Sequence, residues 1–123
     1  IRTLRVYLFI VALILLGSGF KPLVDIYLSK VPFYVLYWVN SVSAVLDNAT
    51  IIAAEIGPAL SLIQIKYAIL AAIISGGILI PGNIPNIIAA NKLKIKSKEW
   101  AKIGVPLGLT LMIIYFILLT FVQ

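Results

Sequence analysis

The chain has 123 residues, 63% hydrophobic and 11% charged, with a formal charge of +6, no cysteine and no histidine. A soluble domain this small has too little interior to hide so much apolar side chain, and typical domains carry about 25% charged residues. Disulfide scaffolds, thiolate metal sites and histidine proton relays are excluded, and the expected class is an all-α integral membrane protein. Its basic residues then mark topology and lipid headgroups rather than a nucleic-acid surface. The chain begins at Ile1 and reads as a fragment or one half of something larger.

The first expected unit is 1–30. Leu4–Phe20 is apolar enough for a transmembrane helix, with Arg2 and Arg5 at one end and Gly17-Ser18-Gly19 at the other. An Arg-flanked start and a small-residue end also fit a signal peptide. Lys21–Lys30 follows as an amphipathic connection holding Pro22 and Asp25.

The second unit is 31–66. Val31–Leu46 would span about 24 Å as a helix, Ile51–Ile65 less, and the hydrocarbon core is about 30 Å thick. A re-entrant hairpin satisfies these lengths, with its tip at Asp47-Asn48-Ala49-Thr50, residue types that favour turns. With Arg2 and Arg5 in the cytoplasm, a return to the same side puts seven basic residues inside and three outside; a single crossing inverts the split. Two full crossings have the same parity as a hairpin, so that alternative stays open.

Tyr67–Asn91 carries no charge and is long enough to cross. Its interior reads Ser75-Gly76-Gly77, then Pro81-Gly82-Asn83-Ile84-Pro85-Asn86. Two prolines four apart break a helix, so the expectation is a broken transmembrane helix over 67–91, helical from Tyr67 to Ile80. The other reading of Pro81–Asn86 is a surface loop. A basic cytoplasmic connection (92–102) and a last transmembrane helix (103–123) complete the order. Gly104 and Gly108 in that helix suit close packing.

Of the four acids, Asp25 and Glu99 fall in polar connections, whereas Asp47 and Glu55 fall within apolar sequence. A carboxylate at mid-bilayer costs about 2.5–3.5 kcal/mol on insertion scales, which an ion or proton offsets. Asp47, Asn48 and Thr50 supply hard oxygen donors at the tip, and Asn83 and Asn86 in the second break could close the same cavity. Glu55, about 7 Å further along a helical return arm, is a candidate proton carrier, second ligand or snorkelling group. The plainer reading of Asp47-Asn48 is a cap on a helix starting near Thr50. Ser41 and Ser43 read as packing hydroxyls. The nucleotide-binding, metalloprotease and hydrolase motifs are missing, and no enzyme is expected.

The run Ser43-Ala44-Val45-Leu46-Asp47-Asn48-Ala49-Thr50-Ile51-Ile52-Ala53-Ala54 resembles the hairpin of the ion transporter superfamily, especially D-type sodium/proton antiporters. Ser75-Gly76-Gly77-Ile78-Leu79-Ile80-Pro81-Gly82-Asn83-Ile84-Pro85-Asn86 resembles the broken helix that follows it. Over about residues 35–122 the chain is similar to an uncharacterised prokaryotic family of that superfamily, labelled as cation transporters. The resemblance implies two inverted repeats, this chain being the C-terminal one, with hairpin tips meeting near the midplane. By position, Asp47, Asn48 and Thr50 match the hairpin-tip site and Gly77, Gly82 and Asn83 the broken-helix site. Two prolines in the second break depart from the antiporters and leave the ion open.

The expected function is therefore half of a secondary cation transporter of the cytoplasmic (inner) membrane, coupled to Na⁺ or H⁺. Na⁺ would sit at Asp47 and Asn48, with no other cofactor. Expected partners are membrane lipid, a small inorganic ion, the missing N-terminal repeat and a second copy in a homodimer, with no nucleic acid. The alternatives are a sodium-coupled anion transporter and a non-transporting membrane assembly subunit.

Overall fold

A computed structural model describes residues 1–122. These form six α-helices and no strand: α1 (Arg2–Ile26), α2 (Phe33–Val39), α3 (Asn48–Glu55), α4 (Leu62–Ser75), α5 (Ile84–Leu93) and α6 (Ser97–Val122). Short 3₁₀ turns occupy Leu28–Lys30, Asn40–Ala44 and Ile80–Gly82.

α1 and α6 are long and apolar enough to cross a membrane, and only 6% and 11% of their most apolar stretches are buried against the rest of the chain. α1 outruns its expected end at Phe20 by continuing through Gly17-Ser18-Gly19 and Pro22 to Ile26. Proline forfeits one backbone hydrogen bond in a helix interior, and neighbouring turns carry the helix past it. Gly17 is buried where α1 crosses α3; a Cβ there would lie 3.4 Å from the Ala53 carbonyl oxygen.

Residues 33–55 fold back on themselves. Asn40 pairs with Glu55 across the turn at Asp47, and further from the turn Leu36 and Leu60 share an apolar cluster with Ala68. The two arms therefore run antiparallel. Both depart from the expected uninterrupted helices. The first is α-helical to Val39 and then tightens to 3₁₀ over Asn40–Ala44. The second stops at Glu55, ten residues short of the expected Ile65, because Ile56 turns extended just before Gly57-Pro58. Ser61 then starts α4 with a capping box: its hydroxyl accepts from the Gln64 N–H, and the Gln64 Oε1 accepts from the Ser61 N–H. Residues 62–66, expected on the hairpin, are thus the opening of α4.

The expected break is present but lies earlier. α4 ends at Ser75, Gly76-Gly77 leave the helix, and α5 resumes at Ile84 with Pro85 in its first turn, where proline is tolerated. The expected eleven-residue basic connection is mostly helical. α5 runs to Leu93, Lys94 adopts the left-handed conformation (φ 55°) that ends it, and α6 begins at Ser97.

α2 and the Asn40–Ala44 turn lie on α4, α4 lies on α6, and α1 lies on α3. Ala68, Ala71, Ala72 and Ser75 form a fully buried small-residue face on α4, which lets the Asn40–Ala44 backbone approach closely. The main core gathers Tyr37, Tyr67, Ala71 and Met112. Phe33, Trp38 and Phe116 extend it, with neighbouring ring centroids 4.8–6.4 Å apart. The Tyr37 hydroxyl donates to the Met112 carbonyl at 2.6 Å, tying the hairpin to α6.

Candidate functional site

At the tip of the hairpin, Asp47 caps α3. Its Oδ2 accepts from the Thr50 backbone N–H at 3.1 Å and from the Thr50 hydroxyl at 3.2 Å. Asp47, Asn48 and Thr50 are half-buried. The Asn48 amide nitrogen lies where a Cβ on Gly76 would meet it at 2.9 Å, so the tip touches the break at the end of α4.

The break hides its own freed carbonyls. Asn86 Nδ2 donates to the Gly76 carbonyl at 2.8 Å and to that of Leu79 at 3.3 Å. Trp100 Nε1, from α6, donates to the Gly77 carbonyl at 3.1 Å. Ile78 leaves the break to lie in the small groove of Gly104 and Gly108; a Cβ on Gly104 would overlap the Ile78 carbonyl, and one on Gly108 would overlap its side chain. The small-residue pattern in the last helix therefore receives a single side chain of the break.

The hairpin and the break meet backbone to backbone. A Cβ built on Gly82 would lie 2.5 Å from the carbonyl oxygens of both Gly76 and Ser43, so only glycine fits this junction. Two 3₁₀ turns that interrupt the α-helices, Asn40–Ala44 and Ile80–Gly82, are thereby held in contact.

Beside this junction lies a buried polar layer. Asn40, Ser43 and Ser75 are fully buried and Glu55 is 7% exposed. Asn40 Nδ2 donates to Glu55 Oε2 at 2.7 Å and to the Ala68 carbonyl at 3.0 Å. Ser43 donates to the Ala72 carbonyl at 3.2 Å. The Ser75 hydroxyl lies 3.0 Å from the Asn40 carbonyl and 2.6 Å from that of Ala71, both acceptors for its one proton. Asn40 Oδ1 is buried without a partner among the described residues.

The eight residues singled out in the sequence fall into separate places. Asp47, Thr50 and Glu55 line one apolar groove of about 490 Å³, walled by α1 through Leu16, Phe20, Leu23 and Val24. Asn48, Gly82 and Asn86 surround Gly76. Gly77 faces the other way, onto Glu99 and Trp100 of α6. Asn83 precedes α5 and makes no side-chain cap bond. The Asn86 amide is spent on the break's carbonyls rather than turned to the Asp47 tip, since restoring a freed backbone acceptor outweighs leaving it bare. Among the described residues no three acidic, histidine or cysteine side chains come together as a metal cluster.

Asn40 was missed in the sequence, hidden in an apolar run. Its signal was a lone amide within a stretch otherwise of apolar, aromatic and hydroxyl side chains, where an unpaired amide is expensive and calls for a partner.

A comparison with curated proteins and another with solved structures return no match. A family model does match, over residues 1–122, and the chain belongs to that family, described as "Protein of unknown function (DUF1646)".

Proposed function

We propose that the chain is the C-terminal half of a secondary membrane transporter for a cation, coupled to Na⁺ or H⁺. The observation that carries the reading is the backbone junction of Ser43, Gly76 and Gly82, where two interruptions of α-helix meet. In a bilayer such backbone is tolerated only inside protein or beside water, and broken helices of this kind commonly hold ions or substrates. Lengths support a re-entrant hairpin over two full crossings. The eight residues of α3 cover about 12 Å, and α2 with its 3₁₀ extension about 20 Å, against about 30 Å of hydrocarbon. α1 and α6 then cross the membrane, with the basic stretch 92–102 on the cytoplasmic side.

In this reading Asp47 and Glu55 supply the negative charge, and the groove between α1 and the hairpin gives an ion its approach. The likeness of residues 35–122 to the ion transporter superfamily supplies the cycle. The hairpin carries the ion between two sides while a second, inverted repeat completes the site. One further reading is a sodium-coupled anion carrier, with the anion at the amino end of α5, where Asn83 makes no side-chain cap bond and the helix dipole is positive.

The test is flux of Na⁺ and H⁺ in vesicles holding the full-length protein, its Asp47→Asn variant and its Glu55→Gln variant. Loss of cation-dependent flux in either variant is expected. Undiminished flux in both overturns the proposal. Flux that requires an added anion selects the second reading.

A further inference from the structure

We infer that Glu55 and Asn40 form a site for a dehydrated monovalent cation at the root of the hairpin, apart from its Asp47 tip, and that filling it fastens the hairpin to α4. The inference borrows from the transporter reading only the class of ligand.

The orientation of the Asn40 amide is fixed by its neighbours. With Glu55 ionised, its Oε2 and the Ala68 carbonyl are both acceptors, so both face Nδ2. Oδ1 is then left, among the described residues, as a fully buried acceptor with no donor, an arrangement native interiors seldom keep without a water, an ion or a proton to satisfy it. Glu55, itself more than nine-tenths buried, accepts one hydrogen bond among the described residues, from that same amide. Lys21 of α1 ends beside Gly57 and does not pair with the carboxylate. One carboxylate and one amide oxygen on the same side-chain pair are hard donors. Their single negative charge is cancelled by a single positive one, whereas a divalent ion would leave a net charge in a low-dielectric site. Hydroxyl lone pairs of Ser43 and Ser75 lie in the same buried layer.

The layer also says what binding would do. Asn40 sits on the first arm, Glu55 on the second and Ala68 on α4, so one amide bridges three elements. Ser75 of α4 lies within hydrogen-bonding distance of the Asn40 carbonyl. With Glu55 charged and no cation, this knot contains an uncompensated buried carboxylate. A cation between Glu55 and Oδ1 removes that penalty and closes the knot. Glu55 also lines the groove beside α1, which gives the ion a way in.

Protection from dicyclohexylcarbodiimide, which attacks carboxyl groups in apolar surroundings, tests this without any transport. The full-length protein in detergent at one pH is treated in choline, Na⁺ or Li⁺ chloride of equal ionic strength, and labelled peptides are identified by mass spectrometry. Glu55 is expected to label in choline. Na⁺ or Li⁺ should slow labelling about tenfold once the ion exceeds its dissociation constant by that factor. Asp47→Asn should keep the protection and Asn40→Ala should lose it; should Asn40→Ala not fold, the wild-type contrast between Glu55 and Asp47 decides. Equal labelling of Glu55 in all salts, no labelling of it in choline, or protection confined to Asp47 overturns the inference. Protection at Glu55 in a protein that carries no flux would uphold this site and sink the transport proposal.

Discussion

The two ends of the chain and its middle are apolar in different ways. α1 and α6 are continuous, outward-facing helices whose side chains are mostly exposed, from Leu4 to Leu16 on one and from Ile103 to Val122 on the other. Between them, residues 31–93 are cut into short helices and 3₁₀ turns, and every fully buried polar side chain lies there. If the proposed membrane setting holds, the ends gain stability from burial in an apolar surrounding. The middle must satisfy its own backbone, because each interruption frees carbonyl and N–H groups that nothing outside can bond. In the transporter reading regular helix serves to span, and irregular backbone is confined to where side chains such as Asn86, Trp100 and Ser43 can close it.

The largest expected effect tests whether the junction in the middle is as tight as its geometry. Gly82→Ala drives a methyl group against two backbone carbonyl oxygens that cannot rotate away. Thermal or denaturant unfolding in micelles should show a loss of about 3 kcal/mol, at the upper end for overpacking, and cation flux should vanish. A near-neutral Gly82→Ala would mean that the hairpin and the break separate freely, and the contrast between a packed middle and spanning ends would fail.

Next comes Asn40→Ala, which strips the Ala68 carbonyl and Glu55 of their shared donor. The Ala68 carbonyl keeps its bond within α4 but Glu55 loses its one donor among the described residues, so the expected loss is about 1–3 kcal/mol, the range for leaving a buried acceptor bare. Glu55→Gln in the same background should recover part of it by removing the charge, whereas Glu55→Gln alone should cost less than Asn40→Ala. Equal, additive effects of the two would show that the residues do not act together.

Tyr37→Phe is milder. It deletes the hydroxyl that donates to the Met112 carbonyl, while the ring keeps its place among Tyr67 and Phe116. That carbonyl lies within α6 and retains its helical bond, so about 1 kcal/mol is expected. A loss several times larger would make the hairpin-to-α6 tie, rather than the hairpin-to-break junction, the main fastening of the middle.

Much of this contrast could be read in the sequence, and the failures have particular causes. The end helices are legible because length and hydropathy alone specify them. The cap at Asp47 is legible because an Asp-Asn turn before an apolar helix has a local mechanism, and α3 does begin there. The arm expected to run to Ile65 is cut at Glu55 by Gly57-Pro58, and Ser61 with Gln64 spells a capping box; both signals stand in the sequence, inside an otherwise uncharged apolar run. The site divides differently. Asp47 and Glu55 are eight apart, and a helical face brings both to one groove. The pairing of Asn40 with Glu55, and of Gly82 with Ser43, depends on how far the hairpin folds back, which no local periodicity encodes. The end of α1 shows the reverse error: Gly17-Ser18-Gly19, read as an ending, and the Pro22 beyond it are absorbed by a long helix.

The smallest effect belongs to the ends and is the sharpest check on them. Gly19 lies inside α1 with open space around it, no atom within 4 Å of a Cβ built there. Gly19→Ala should therefore be neutral or stabilise by about 0.5–1 kcal/mol, since glycine in a helix interior loses more backbone freedom than alanine. If the same substitution instead costs as much as Gly82→Ala, something outside residues 1–122 packs closely on this face of α1. A bilayer would accommodate one methyl group without penalty, because lipid chains have no fixed shape to violate. A second protein surface would not. A destabilising Gly19→Ala would therefore argue that α1 is covered by protein, a second copy or another segment, and would move it from the class of spanning helices into that of packed ones.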